Sequence, residues 1–324
     1  MRTRRGRTAA VAATMTAVVA LTVTACSEDG DEPTPEVAPT PTATPIPPFD
    51  ADQPAARAVL PLVPVDATEL RVTDWEQVRL RVGREDITSA APRRQRDQFW
   101  RKVDRNVPLL DTGLLRPDAE RLLADYSFTQ DDVAWEAHFE TPRGSGWVLL
   151  MDAPVLMADV ERAVDDGVGA LRGAEVDVAR RLVMRGVSAE PEESWAMAPE
   201  LGELVDDTGE STYVRAGCLD ADAVLGTVPD GSLARLQPLG GFVVVLAGRL
   251  ATVYLGTDRA DAFARARLDR TSFSTAPQVS QFQRAWGQAV ADPSSGRLGY
   301  RMRDDRAATE LMLDGDLPFA VCDV

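Results

Sequence analysis

Alternating residues near the middle of the chain predict a half-buried β-strand. Positions 133–140 divide into an apolar set of Val133, Trp135, Ala137 and Phe139 and a more polar set of Ala134, Glu136, His138 and Glu140. Because successive strand side chains point to opposite faces, the apolar set is expected to face a core. A glycine-containing turn at 143–146 and an apolar run at 147–151 complete a predicted hairpin. The spacing of apolar residues from Leu156 to Leu171 then predicts a helix.

The same order of patterns recurs later in the chain. Apolar runs at 242–247 and 250–255 flank Gly248-Arg249, and a helix is predicted from Asp258 to about Leu268. Adding 104 to the strand at 145–151 gives 249–255, the second return strand. This offset predicts two related hairpin–helix lobes, with chance similarity as the alternative. The fold class expected is α+β, with antiparallel hairpins covered by helices.

Further elements follow from local signals. Residues 92–106 predict a charged helix with Phe99, Trp100 and Val103 as its inward side. Arg116-Pro117-Asp118 predicts the start of a short helix that ends near Ala124, since proline is tolerated in a first turn. Residues 297–302 predict a strand, Asp304 the start of a helix to Leu313, and 317–322 a final strand. The tryptophans are expected in the core.

The start of the chain has the layout of a secretory signal. Four arginines within residues 2–7 precede an uncharged stretch from Thr8 to Ala25. That stretch ends in Val23-Thr24-Ala25-Cys26, which resembles the lipobox of bacterial lipoproteins. The basic residues of the whole chain are almost all arginine, and in this respect the chain resembles lipoproteins of GC-rich Gram-positive bacteria. The resemblance implies cleavage before Cys26, lipid attachment to that cysteine and a place on the outer face of the cell membrane.

Two alternatives compete with this interpretation. The uncharged stretch of 18 residues approaches the length of a membrane span, but its many alanines and threonines make a weak one. Arg4-Arg5 suggests twin-arginine export, but the apolar pair expected after it is absent, so ordinary Sec export is favoured. The domain division expected is a signal peptide at 1–25, a lipidated tether at 26–50, a first lobe at 51–225 and a smaller second lobe at 226–324.

The tether holds seven prolines and four threonines in residues 27–50. Such a segment buries little apolar area and favours extended polyproline II. At ~3.1 Å per residue it reaches at most about 75 Å, enough to lift a folded body from a membrane. Thr-Pro alternation is also typical of O-glycosylated stalks, with a plain spacer as the favoured interpretation.

The chain has only three cysteines. If Cys26 is lipidated, Cys218 and Cys322 remain, and in an oxidising compartment they are expected to form a disulfide that joins the two lobes. The apolar runs that end at these cysteines, 213–218 and 317–322, are then expected to lie side by side. The alternative is a pair of buried free thiols.

The charge of the chain argues against nucleic-acid partners. The formal net charge is −16, and beyond residue 25 it becomes −20, with 31 basic against 51 acidic residues. Such a field repels nucleic acid and anionic head groups and favours cations, basic proteins or solubility. The expected partners are membrane lipid through Cys26 and a protein or small-molecule ligand; no cofactor or metal is expected.

Catalytic patterns are few. His138 is the only histidine, which removes most nucleophile–base triads and multi-histidine zinc sites. Its position on the polar strand face predicts an exposed side chain near two acids, with a general-base role as the alternative. Neighbouring acids diverge on a strand, so adjacent acid pairs are not expected to act as glycosidase carboxylates, and some, such as Asp304 before a helix, are expected to be helix caps. Such pairs occur at Asp131-Asp132, Asp165-Asp166, Asp206-Asp207 and Asp304-Asp305.

The remaining motifs indicate turns. The acidic stretches 206–210 and 314–316 could offer oxygen ligands to calcium, but they lack the EF-hand pattern and favour turns. The favoured function is a non-enzymatic surface lipoprotein that binds a partner or ligand, with no catalytic residue. The alternatives are a solute-binding lipoprotein of a transporter, which needs a cleft between lobes, and a carboxylate-dependent hydrolase of the cell envelope.

Overall fold

A computed structural model describes residues 48–323, which form twelve strands and ten helices. The strands are β1 (Glu69–Asp74), β2 (Val133–Thr141), β3 (Gly144–Met151), β4 (Glu175–Asp177), β5 (Leu182–Arg185), β6 (Ser211–Ala216), β7 (Leu219–Asp220), β8 (Gly241–Ala247), β9 (Leu250–Tyr254), β10 (Val290–Asp292), β11 (Arg297–Arg301) and β12 (Val321–Cys322). The helices are α1 (Ala55–Ala58), α2 (Trp75–Val82), α3 (Arg93–Asn106), α4 (Ala119–Tyr126), α5 (Met157–Asp165), α6 (Pro199–Gly202), α7 (Ala221–Leu225), α8 (Ala262–Arg265), α9 (Pro277–Ala285) and α10 (Asp305–Leu313).

The predicted signal peptide, Cys26 and the tether up to residue 47 lie outside the described residues and stay predictions. Within residues 48–323, none of the helices combines the length and the apolar character needed to cross a bilayer.

Ten strands form one sheet in the order β10-β11-β9-β8-β6-β1-β2-β3-β5-β4, and every neighbouring pair is antiparallel. The strands β7 and β12 form a separate parallel pair of two residues each. The α+β class with antiparallel hairpins covered by helices is therefore confirmed. The lobe bounds 51–225 and 226–324 stay a prediction. The ten-stranded sheet contains strands from both of these ranges.

The sheet consists of two sets of five strands with the same connectivity. Read outward from the centre, one set is β1-β2-β3-β5-β4 and the other is β6-β8-β9-β11-β10. We call them the first and second halves. Since β1 and β6 are antiparallel, half a turn about an axis between them exchanges the two strand orders. Adding 104 to the residue numbers of β3 correctly gives β9. The same offset does not relate the outer strands of the two halves, because the segments that connect those strands differ in length.

Strand β1 holds the halves together by pairing with β2 on one side and with β6 on the other. Its side chains alternate, so that Leu70 and Val72 point to one face while Glu69, Arg71 and Thr73 point to the other. Both faces are largely buried at this strand. The centre of the sheet is thus apolar on one face and polar on the other.

The apolar face carries one core across the sheet centre. Leu70 and Val214 lie in it, and the segments 55–63 and 195–205 cover it, with Trp195 almost fully buried. The opposite face has two separate cores. One lies under α2–α5 around Phe99 and Trp147, and the other under α7–α10 around Phe319. Burial of these large side chains supplies the main favourable free energy of folding.

A bulge corrects one detail of the predicted hairpin. The register between β2 and β3 shifts between Val133 and Trp135, and the extra residue turns Val133 to the face opposite Trp135. Val133 consequently packs in the core under α2–α5, whereas Trp135, Ala137 and Phe139 pack in the core on the other face. Strict alternation therefore held from Trp135 onward only.

Several predicted helices are confirmed, and others are shorter or were not predicted. Helix α3 matches the expected span, with Phe99 and Val103 buried, and Asp304 caps α10 as expected. The helix predicted from Leu156 to Leu171 is shorter, since α5 ends at Asp165 and Leu156 precedes its first turn and is 69% exposed. The helix predicted from Asp258 is reduced to α8 and a 3-10 turn. No pattern had indicated β1, α2, α9 or β10.

Cys218 and Cys322 form a disulfide with their Cα atoms 5.8 Å apart. Both cysteines belong to the second half, since Cys218 follows β6 and Cys322 ends β12. The expected disulfide is thus confirmed, and within the sheet it is the pairing of β1 with β6 that connects the two halves. The expectation that the bridge joins lobes 51–225 and 226–324 depends on those lobe bounds and stays a prediction. The runs 213–218 and 317–322 meet only at their ends, because most of the first run is β6 in the large sheet and half of the second is a 3-10 turn.

We expect the Cys218→Ser/Cys322→Ser double variant to unfold more easily. The bridge closes a loop of 104 residues, and its loss should lower the free energy of unfolding by about 2–4 kcal/mol. Urea unfolding followed by circular dichroism measures this change. A reductant should destabilise the wild type and leave the double variant unchanged, and equal effects on both would contradict the prediction.

Asp74 links β1 to α2. Its carboxylate accepts a hydrogen bond from the Gln77 backbone N–H at 2.9 Å and so caps the helix. Burial raises the pKa of Asp74 to about 6, even though the hydrogen bond from Gln77 favours the ionised form. The folded state therefore loses stability as pH rises from about 4 through 6, because the charged form is tolerated better in the unfolded chain.

Replacing Asp74 with Asn should retain the cap and remove this pH-dependent loss. We expect D74N to be more stable than the wild type at pH 7.5 by about 1–2 kcal/mol and no more stable at pH 4. Urea unfolding at the two pH values tests this. Asp304 caps α10 from an exposed position, so D304N is the matched control and should change little. A D74N protein that is weaker at pH 7.5 would refute the argument.

Candidate functional site

Charged side chains fill the sheet centre between the two helix-covered cores. This central charged cluster consists of Glu69 and Arg71 of β1, Glu136, His138 and Glu140 of β2, Tyr213 and Arg215 of β6, and Asp111 from the connection between α3 and α4. The strand register brings them together: Arg71 lies opposite His138 and Tyr213, and Glu69 lies opposite Glu140 and Arg215. Alternation places the strand residues of the cluster on one face, and Asp111 reaches them from the connecting segment.

Glu69 is the hub of the part of the cluster nearest the second half. Its Oε1 accepts from Arg71 at 3.1 Å, and its Oε2 accepts from Tyr213 Oη at 3.1 Å and from Arg215 at 3.3 Å. Glu69 is only 9% exposed. Three donors around one buried carboxylate compensate for much of the cost of burying its charge.

Glu136 and His138 form the part nearest the first half. Glu136 is fully buried, and its Oε2 accepts from the Leu114 backbone N–H at 3.1 Å and from Gln130 at 2.9 Å. Its Oε1 lies 3.6 Å from His138 Nε2, and both of these buried atoms are without a hydrogen-bond partner. An ion pair at this distance stabilises the protonated imidazole without a direct hydrogen bond.

Asp111 closes the cluster from the opposite side. Its Oδ2 lies 3.3 Å from Arg71 Nε, and both atoms are shielded from solvent. Ser211 Oγ donates to the Pro108 carbonyl at 3.1 Å and helps to fix this connecting segment over the strands. The segment 107–115 is thus the cover that makes the polar face of the sheet an interior one.

The electrostatics of the cluster favour a proton on His138. Burial alone lowers the pKa of His138, but the Glu136 carboxylate beside Nε2 and the negative charge of Asp111 outweigh it, so the pKa is raised. Burial also raises the pKa of Asp111, and the positive charges of His138 and Arg71 offset part of this rise. Burial, with the nearby Glu69, raises the pKa of Tyr213 to about 12.

The structure corrects the predicted environment of His138. The side chain is 15% exposed rather than solvent-facing, because the segment 107–115 covers it. The two acids expected beside it are Glu136, which contacts it, and Glu140, which instead lies 3.8 Å from Arg71. Asp111 is the neighbour that the local sequence did not indicate.

The cluster can hold a proton, but its reactive atoms are enclosed. Asp111 Oδ2, Glu136 Oε1 and His138 Nε2 are all shielded from solvent, and the best-formed cavities of residues 48–323 are lined by other residues. No group of three or more His, Cys, Asp or Glu side chains in that part of the chain is arranged to hold a metal ion.

The predicted acid pairs serve as structural groups where the structure shows their contacts. Asp131 accepts from Trp100 Nε1 at 2.8 Å, and Asp132 forms a capping box with Thr129. Gly167, after Asp165-Asp166, takes a left-handed conformation that ends the α5 region. The acidic stretch 206–210 is irregular rather than the expected turn, and Glu210 accepts from the Gly248 backbone N–H of the β8–β9 connection at 2.7 Å.

The buried arginines, among them Arg79 and Arg265, were missed by sequence reasoning. Arg79 donates to two carbonyls and pairs with Asp152 at 3.0 Å. Arg265 is 1% exposed, pairs with Asp261 at 2.7 Å and donates to the carbonyls of Phe319 and Val321. Arg265 thereby anchors the chain near the disulfide. The helical spacing of Asp261 and Arg265, four residues apart, was the one available signal.

An open groove lies at one edge of the sheet. The edge groove, as we name it, runs between β10 and the α8 region and has a volume of about 560 Å³. One wall comes from residues 288–291; the other comes from Phe263, Ala266, Arg267, Arg270 and Thr271. Val290 is 75% exposed and Phe263 is 52% exposed. Unlike the central charged cluster, this site is accessible to a partner.

Comparisons with known proteins give no relative: no family model, no curated protein and no solved structure matches the chain.

We expect the stability contribution of His138 to depend on pH. Because its pKa is raised in the folded state, the contribution should be complete below the ordinary value of about 6.5 and should be lost as pH rises through the folded value. His138→Gln removes the charge, so the wild type should exceed H138Q in stability by more at pH 5.5 than at pH 8.5. Urea unfolding at both values measures the difference. A gap that widens with rising pH would contradict a protonated His138.

Proposed function

We propose that the chain is a lipid-anchored protein on the outer face of a cell membrane, and that its folded part is a non-enzymatic binding module. The observation that carries the proposal is the Cys218–Cys322 disulfide. A bridge between two of three cysteines fits an oxidising compartment, and it leaves Cys26 as the single remaining thiol. That cysteine stands where the lipobox resemblance requires the lipidated residue.

The tether supports a presenting role. Lipid attached at Cys26 would hold the chain to the membrane, and the proline-rich stretch to residue 50 would separate the folded body from the surface. A body held in this way is suited to meeting partners from the medium or from neighbouring envelope proteins.

Binding has more support than hydrolysis from the position of the polar groups. The carboxylate oxygens that a hydrolase would use, Asp111 Oδ2 and Glu136 Oε1, are enclosed, whereas the edge groove is open. A solute-binding role has less support as well, because the halves meet in continuous β1–β6 pairing rather than across an opening.

The lipid attachment is testable with Cys26→Ser. We expect the mature wild type to begin at residue 26, to carry the mass of a diacylglyceryl group and to fractionate with membranes. C26S should lack that mass, because serine has no thiol to accept the lipid. Intact-mass spectrometry and membrane fractionation supply the readouts. The C218S/C322S variant is the matched control and should keep the lipid. A wild-type chain with an intact amino terminus, or with no acyl mass, would overturn the anchor.

A further inference from the structure

We propose that the edge groove binds an extended segment of a partner protein with alternating acidic and apolar side chains, and that the segment adds to β10 as a further strand. The inference rests on the proposed binding role and names its ligand class. Strand addition to an open sheet edge uses main-chain hydrogen bonds for affinity and side-chain contacts for specificity.

The two edges of the sheet differ in how they meet solvent. Strand β10 pairs only with β11, and β4 pairs only with β5. Strand β4 presents Glu175 and Asp177, and charged side chains of this kind discourage further pairing. Strand β10 presents a single acid, Asp292, together with Val290, which is 75% exposed. The β10 edge is therefore less charged than the β4 edge and is the better suited of the two to pair with another strand.

The walls of the edge groove suit an extended chain. Small side chains, those of Ala266, Ala289 and Ala291, leave room for a backbone to approach β10. Phe263 and Val290 supply exposed apolar surface on the two walls. A strand with every second side chain apolar would place those side chains on one face, beside Val290, and its acids on the other face, because its side chains alternate.

The positive charge around the edge groove favours acidic side chains in the partner segment. Residues 249–306 contain ten arginines and six acids, in a chain whose net charge is −16. Arg267 and Arg270 line the groove; Arg267 makes no ion pair among the described residues, and Arg270 contacts only Asp269, at 3.5 Å. Since salt screens charges beyond about 8–10 Å, these local arginines outweigh the distant negative charge.

Two other occupants fit the geometry less well. An anionic membrane would favour a protruding apolar surface, whereas Phe263 and Val290 line the walls of a groove. A second copy of the chain that paired through β10 would bring the same arginines of both copies together, and like charges repel. An acidic strand meets both the concave shape and the positive charge.

Binding can be measured with a labelled seven-residue peptide that alternates Asp or Glu with Val, added to the full-length exported protein and followed by fluorescence polarisation. We expect binding that weakens with added salt. Arg267→Ser/Arg270→Ser should weaken it about fivefold or more, and Val290→Asp should weaken it further. A peptide with Lys in place of the acids, and one with N-methylated backbone amides, should fail to bind.

Matched controls lie in the first half. Arg93 and Arg143 have side chains that are 76% and 79% exposed, and Leu156 is 69% exposed. The variants Arg93→Ser/Arg143→Ser and Leu156→Asp should bind the peptide as the wild type does. Thermal unfolding of every variant separates loss of the groove from loss of the fold.

The proposal fails if the acidic peptide does not bind, if R267S/R270S binds it equally well, or if N-methylation has no effect. Arginine-dependent binding to anionic vesicles without peptide binding would assign the groove to a membrane surface. Self-association that V290D abolishes would assign it to a second copy. If the exported wild-type protein binds the peptide but carries no lipid on Cys26, the proposed lipid anchor is wrong and the proposed role of the edge groove stands. If the protein is lipidated but does not bind the peptide, only the proposed role of the edge groove is wrong.

Discussion

The antiparallel pairing of β1 with β6 is the interaction on which the rest of the structure depends. Within residues 48–323 it is the only strand pairing between the two halves, and it places the polar sides of both strands beside that of β2. The charges of Glu69, Arg71 and Arg215 are consequently buried together rather than singly. Each offsets part of the desolvation cost of the others, so removing one of them would leave the remaining charges without a full set of partners.

This arrangement explains why the two faces of the sheet are covered differently. Over the apolar face a single core extends across both halves. On the polar face the cluster separates two cores, so each half carries its own helices there. The segment 107–115 belongs to the first half, yet Leu110 within it packs in the core of the second. The cover over the cluster is therefore also a second link between the halves.

The parts of the fold that the sequence predicted are those with long regular patterns. The hairpins β2–β3 and β8–β9 follow from runs of alternating or continuous apolar residues, and α3 and α10 from spacing and a cap. Strand β1 was missed although Leu70 and Val72 alternate with polar residues, because its six residues stand directly before α2. Strand β10 has only three residues, too few for a period to appear.

The candidate site was predictable only in part, and for a physical reason. The local pattern correctly put Glu136 and His138 on one strand face, but their burial depends on Asp111 and its segment, which the chain brings from more than twenty positions away. Alternation states which residues share a face and not what covers that face. Likewise, the disulfide followed from counting cysteines, while its place within one half followed only from the sheet order.

The shared connectivity of the halves has a consequence for how such a chain could arise. Either half by itself would leave its innermost strand, β1 or β6, with a bare edge of unsatisfied amides and carbonyls. Two copies of one half could satisfy each other across that edge, in the symmetric manner in which β1 now meets β6. A self-associating ancestor of half the length, later fused to its twin, would have the same sheet from one end to the other.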